Sequence, residues 1–68
     1  MKITDFKKDF FYKGGRITHK DWPSNTTIGM HKGKFFYFFN GKIYKKQPVI
    51  FDMYYLLSEN WEPVESIL

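Results

Sequence analysis

The chain has no cysteine among its 68 residues, so neither a disulfide framework nor a thiolate metal site can reinforce it. It has no apolar run approaching the roughly 20 residues that cross a bilayer; the uncharged aromatic run of residues 35–40 is far shorter. Its N-terminus interleaves Lys and Asp with apolar residues, unlike the basic start and apolar stretch of a signal peptide. There are no repeats, no low-complexity stretch and no linker. These absences predict a soluble, intracellular single domain spanning residues 1–68, with no membrane partner. A chain of this length buries only roughly 60 % of the surface its unfolded form exposes, which leaves one core marginally stable.

What the chain has in excess is aromatic surface. Eight Phe, five Tyr and two Trp make up 22 % of the sequence, and each ring can bury on the order of 150–250 Å². So small an interior predicts rings exposed for binding, an interior shared between subunits, or both. Charge is segregated as well. Residues 1–46 carry eleven bases against Asp5, Asp9 and Asp21, a balance of +8, whereas residues 47–68 carry four acids and no base. A basic body attracts phosphates and other polyanions; a charged, solubilising surface is the plainer interpretation.

The pattern predicts an α+β fold: a small antiparallel β-meander of four or five strands, an N-terminal helix, and a short helix before the last strand. Ile3, Phe6 and Phe10 recur at helical spacing, and Gly14-Gly15 stops the helix predicted over residues 3–13. Residues 16–19 and 26–31 read as strands around the turn chemistry of residues 21–25. The strongest local signal is Asn40-Gly41 between residues 34–39 and 42–45, a hairpin on a two-residue turn whose central positions both need φ > 0. The strand over 34–39 is aromatic on both faces, which predicts cover on both: the helix on one, a second subunit or a ligand on the other. Asp52 can cap a short helix over 53–58. Pro63 restricts the last segment, with Trp61, to a sheet edge or to the end of pairing.

Catalytic chemistry is poorly supplied. Ser24, Ser58 and Ser66 lie in no nucleophile-elbow pattern, paired carboxylates are missing, and Gly14-Gly15 is not a phosphate-binding loop. His19 and His31 fall opposite each other if the first two strands pair around residue 25. Two imidazoles still need a third ligand, so solvated strand-end histidines are the plainer reading, and neither metal nor cofactor is expected. The prediction is a non-enzyme. Binding chemistry is better supplied: Trp22 follows Arg16, His19 and Lys20 within seven residues, an indole suited to stacking on a base whose phosphates the cations hold. A core or interface plug is the plainer role for Trp22, and a structural role is expected for Trp61.

The segment Gly15-Arg16-Ile17-Thr18-His19-Lys20-Asp21-Trp22, after a helix, resembles the opening motif of a family of small phage-encoded proteins. The segment Leu56-Leu57-Ser58-Glu59-Asn60-Trp61-Glu62-Pro63-Val64-Glu65 resembles its closing block. The family is the second type of Thoeris anti-defence protein, and with Phe11 to Gly14 included the two blocks cover about 22 of 68 residues. This chain is shorter in the middle, has Pro23 where an Asn commonly follows the first Trp, and has Val49 where a Ser is usual. The resemblance implies a small antiparallel sheet with short helices, assembled into oligomers. It implies sequestration of a cyclic nucleotide immune signal, uncleaved, in the bacterial host cytoplasm. Trp22 and Asp52 carry over as pocket residues, Asn25 stands near enough to replace the missing Asn, and Arg16 and Lys20 are added on physical grounds. A dimer or dimer of dimers is expected. The alternatives are a phage protein that blocks a host enzyme through an aromatic surface, and a nucleic-acid-binding module. The latter is the weaker, because it lacks a motif and the acidic end repels a phosphate backbone.

Overall fold

The computed structural model describes residues 1–64; Ser66 and Glu65, the end of the closing block, lie outside the described residues. A 3-10 turn, Ile3–Asp5, precedes α1 (Lys8–Tyr12), β1 (Arg16–His19), β2 (Thr26–His31), β3 (Lys34–Phe39), β4 (Lys42–Ile43), α2 (Met53–Leu57) and β5 (Trp61–Val64). The five strands form one antiparallel sheet in the order β4-β3-β2-β1-β5, a meander whose last strand returns to the outer side of β1. This is the α+β meander expected from the sequence. Among the described residues no helix is long and apolar enough to cross a membrane.

Local chemistry explains most of these elements. Both Lys32-Gly33 and Asn40-Gly41 have positive φ at both central positions (52° and 80°, 52° and 84°), the two-residue primed turns that match the twist of paired strands. They set His31 opposite Lys34 and Phe39 opposite Lys42. Pro63, which cannot donate to a ladder, sits on edge strand β5 opposite Ile17. Asp52 Oδ1 accepts the Tyr54 N–H at 2.8 Å and so caps α2.

The N-terminal helix is shorter than the spacing predicts. Phe6 and Lys7 are extended (ψ 131° and 153°), dividing residues 3–13 into the 3-10 turn and α1. The Lys2 N–H donates to Asp5 Oδ2 at 2.8 Å, a local bond that ties up the first turn. The break lets Phe6 fold back against Phe10 and Phe11, at 5.4 and 6.0 Å between ring centroids. The stop is as predicted: Gly14, at φ 89°, and Gly15 donate to the carbonyls of Phe11 and Phe10, a Schellman ending. A Cβ on Gly15 would collide with the Phe10 carbonyl oxygen, so no other residue fits there without displacing backbone.

One face of the sheet carries the core. Ile17, Ile28 and Trp61 are fully buried, with Phe11 of α1 packed on them. Phe35 meets Phe11 edge-on at 4.9 Å and Phe51 at 5.8 Å, while Tyr37 meets Trp22 at 5.8 Å. On the reverse face the Arg16 guanidinium lies 4.2 Å from the centre of the buried Phe38 ring. Much of the cover for the aromatic strand thus comes from within the chain.

The histidine expectation is corrected. Ile17 pairs with Ile28, so the β1–β2 connection is centred nearer residue 22 than 25, and His19 and His31 project to opposite faces. His31 is exposed, as expected of a solvated strand end; His19 is buried within the core-bearing face.

Candidate ligand site

The two-residue turn at Asn40-Gly41 dictates what the β3–β4 end presents. Beyond β4 the Tyr44 N–H donates to the Tyr37 carbonyl at 2.9 Å, so pairing continues and Tyr44 stands beside Tyr37. Phe39, two residues along the same face of β3, has its ring 5.9 Å from that of Tyr44. Together with Thr26, Phe38 and Lys45 these residues line a cleft of about 390 Å³. That volume lies at the lower end of the range typical of small-ligand sites. The Lys45 ammonium sits 5.8 Å from the Tyr44 ring centre and 5.9 Å from that of Tyr37, within reach of both rings. Phe39 and Tyr44 are 45 % and 60 % exposed. Burial, then the neighbouring Tyr55 and Asp52, raises the Tyr37 phenol above its ordinary pKa, so it remains a hydrogen-bond donor at neutral pH. Chemically this is a set of π-faces with a cation beside them, suited to a planar, anionic ligand.

The residues singled out from the sequence are distributed around this cleft rather than gathered in it. Trp22 is half-buried among Trp61 (5.1 Å), Tyr55 (5.6 Å) and Tyr37, so it supports the Tyr37 wall from within. Asp52 caps α2 and acts on the Tyr37 phenol through its charge. Asn25 marks the rim, its carbonyl accepting the Asn40 N–H at 3.0 Å. Arg16 runs along the reverse face, where its guanidinium would lie 3.6 Å from a Cβ on Gly41, under the hairpin turn. Lys20 is exposed at the far side, its N–H bonded to the Asn60 carbonyl. Sequence reasoning missed Tyr37, Phe39, Tyr44 and Lys45 as lining residues. The signal was present: a two-residue turn after Phe39 forces Tyr37 opposite Tyr44, and the pleat puts Phe39 on their side.

A second constellation draws on Ser58. His19 Nε2 is 2.6 Å from Ser58 Oγ, and His19 Nδ1 is 3.7 Å from Asp21 Oδ2. The order of groups is that of a serine hydrolase; the protons are not. His19 Nδ1 accepts the Asp21 N–H at 3.1 Å, which leaves the ring proton on Nε2, donated to Ser58 Oγ. That oxygen also accepts the Asn60 N–H. The imidazole therefore offers Ser58 a proton instead of taking one, and the three residues tie β1, α2 and β5 together as structure. Among the described residues no group of three His, Asp or Glu side chains is placed to hold a metal ion.

Comparison with protein families, with curated proteins and with solved structures returned no match.

Proposed function

We propose that the chain binds a cyclic nucleotide signal in the Tyr37–Tyr44–Lys45 cleft and releases it unchanged. In this role it acts as a sponge for an immune signal inside a bacterial host, as the resemblance to anti-defence proteins implies, and works as a symmetric homo-oligomer, a dimer or a dimer of dimers. The observation that carries the proposal is the Lys45 ammonium within about 6 Å of two tyrosine rings at the wall of the cleft. A base stacks on Tyr44 and Phe39, while Lys45 and its neighbours Lys42 and Lys46 meet the phosphates.

The experiment is a thermal-shift screen of the purified chain against cyclic mono- and dinucleotides, since a ligand that binds only the native state raises the melting temperature. Loss of one stacking ring costs ~1–3 kcal/mol. Tyr44→Ala should therefore weaken binding about 5- to 150-fold while changing stability by no more than about 0.5 kcal/mol, because the ring is surface-exposed. Ligand recovered after heat denaturation should be intact. No shift with any cyclic nucleotide defeats the proposal, and so does ligand recovered hydrolysed. Retention of single-stranded nucleic acid with a steep salt dependence points instead to the nucleic-acid-binding alternative.

A further inference from the structure

We propose that the outer ridge of α2 is a self-association surface, on which a second copy of the chain docks about a two-fold axis. Only the assembly part of the proposed function underlies this inference; the ligand cleft does not enter it.

Residues 50–57 divide by side. Phe51 and Tyr55 turn inward, Phe51 onto Phe35 and Trp61, Tyr55 onto His19 and Trp22. Ile50, just before α2, and Met53 and Leu57, four residues apart on one side of it, turn outward and are 90 %, 66 % and 67 % exposed. Leu56 and Tyr54 flank them, also exposed. An aliphatic stripe this open on so small a molecule is unusual unless another surface covers it. These five side chains offer on the order of 600 Å² per copy, or about 1,200 Å² for a pair, the lower bound for a specific interface.

Charge favours a second copy as the occupant. Asp52 stands at the N-terminal end of the ridge, whereas Lys2 lines the groove beside Met53, Leu57 and Glu59 towards the other end. A two-fold axis across α2 turns each end of the ridge towards the opposite end of its copy, so Lys2 of each protomer approaches Asp52 of the other. One surface supplies both members of the pair, twice. The sheet edges are less suited to the task. On β5, Pro63 donates no hydrogen bond and the Trp61 N–H is taken by the Met1 carbonyl at 2.9 Å. β4 is two residues long, with Lys42 in it and Lys45 and Lys46 beyond, the charged short edge that resists pairing.

An interface at the lower size bound should associate at micromolar concentrations. Sedimentation of the intact chain from about 1 to 500 µM should show the mass rising from 8.3 kDa towards twice that value. Met53→Glu/Leu57→Glu should stay monomeric throughout the range with an unchanged circular dichroism spectrum, since both residues are exposed. Lys2→Glu should weaken the dimer, raising its dissociation constant severalfold, and Tyr44→Ala in the cleft should leave that constant unchanged. A wild-type chain monomeric at every concentration overturns the proposal, and so does a double variant that still dimerises, since assembly then uses another surface. The thermal-shift screen on the monomeric double variant separates the two proposals, because nucleotide binding at the cleft does not depend on α2.

Discussion

The hairpin tip, residues 34–45, and the strap that follows, residues 47–61, both end on exposed apolar side chains, yet they reach that state by different routes. The tip is shaped locally. A primed turn fixes the register, the pleat sorts the rings, and Phe39 and Tyr44 face outward because the chain offers them no other side. The strap is shaped by packing. Its backbone meets the sheet through the Val49 N–H bonded to the Phe35 carbonyl at 2.8 Å. Val49, Phe51, Tyr55 and Trp61 then turn inward, which leaves Ile50, Met53 and Leu57 outside. The tip carries bases and the strap acids. A short chain thus presents two surfaces of unlike chemistry, one aromatic and cationic, the other aliphatic and rimmed by carboxylates.

The contrast is broken most directly at Trp61. Its ring is fully buried and its Nε1–H donates to the Tyr55 carbonyl at 2.8 Å, so one side chain joins β5, α2 and the core. Trp61→Ala removes that packing and leaves a large cavity, a change that costs about 3–5 kcal/mol. Chemical denaturation should show a loss of that size, enough to unfold much of the population of a small domain. A loss under about 1 kcal/mol would mean that the strap is not held by packing.

A smaller effect is expected at the tip. Gly41 has φ 84°, where a β-branched side chain is strained. Gly41→Val should therefore destabilise the fold by more than ~1 kcal/mol, and it should disturb the Tyr37–Tyr44 pairing before it disturbs α2. Amide hydrogen exchange reads this order: protection of the Tyr44 N–H should fall first. Equal loss at the Leu56 N–H, inside α2, would show that tip and strap unfold as one unit.

What the sequence made legible follows the same division. Where a few adjacent residues decide conformation, it was readable: Asn40-Gly41, the glycine stop after α1, the Asp52 cap and the restriction of Pro63 to an edge or the end of pairing, of which the fold takes the edge. Where distant residues decide, it was not. The burial of His19 depends on Ser58 and on the rings of Tyr55 and Trp61, about forty residues away. The extended Phe6-Lys7 step is selected by aromatic contacts that helical spacing does not encode. The half-buried packing of Trp22 behind Tyr37 was not readable either, because the rings that hold it come from β3, α2 and β5. The cleft itself was readable one step further along a correct hairpin, by counting the pairs outward from the turn.

The smallest effect distinguishes the two regions by titration. Tyr37, in the tip, has its phenol raised above the ordinary value mainly by burial. Tyr54, in the strap, is raised mainly by its hydrogen bond to Asp21 Oδ2, 3.0 Å away, and by that carboxylate's charge. In both cases the folded chain holds the proton more tightly than the unfolded chain. The linked stability is therefore complete below about pH 10, the unfolded value, and is lost as pH rises through the raised folded values. Phenolate absorbance of the folded chain should extend to higher pH than that of the chain in urea. Asp21→Asn should remove the larger part of the Tyr54 contribution and leave that of Tyr37, whose causes are burial, Tyr55 and Asp52. Tyr37→Phe should do the reverse. If Asp21→Asn shifts both tyrosines together, tip and strap share one electrostatic environment and the division between them is wrong at this level.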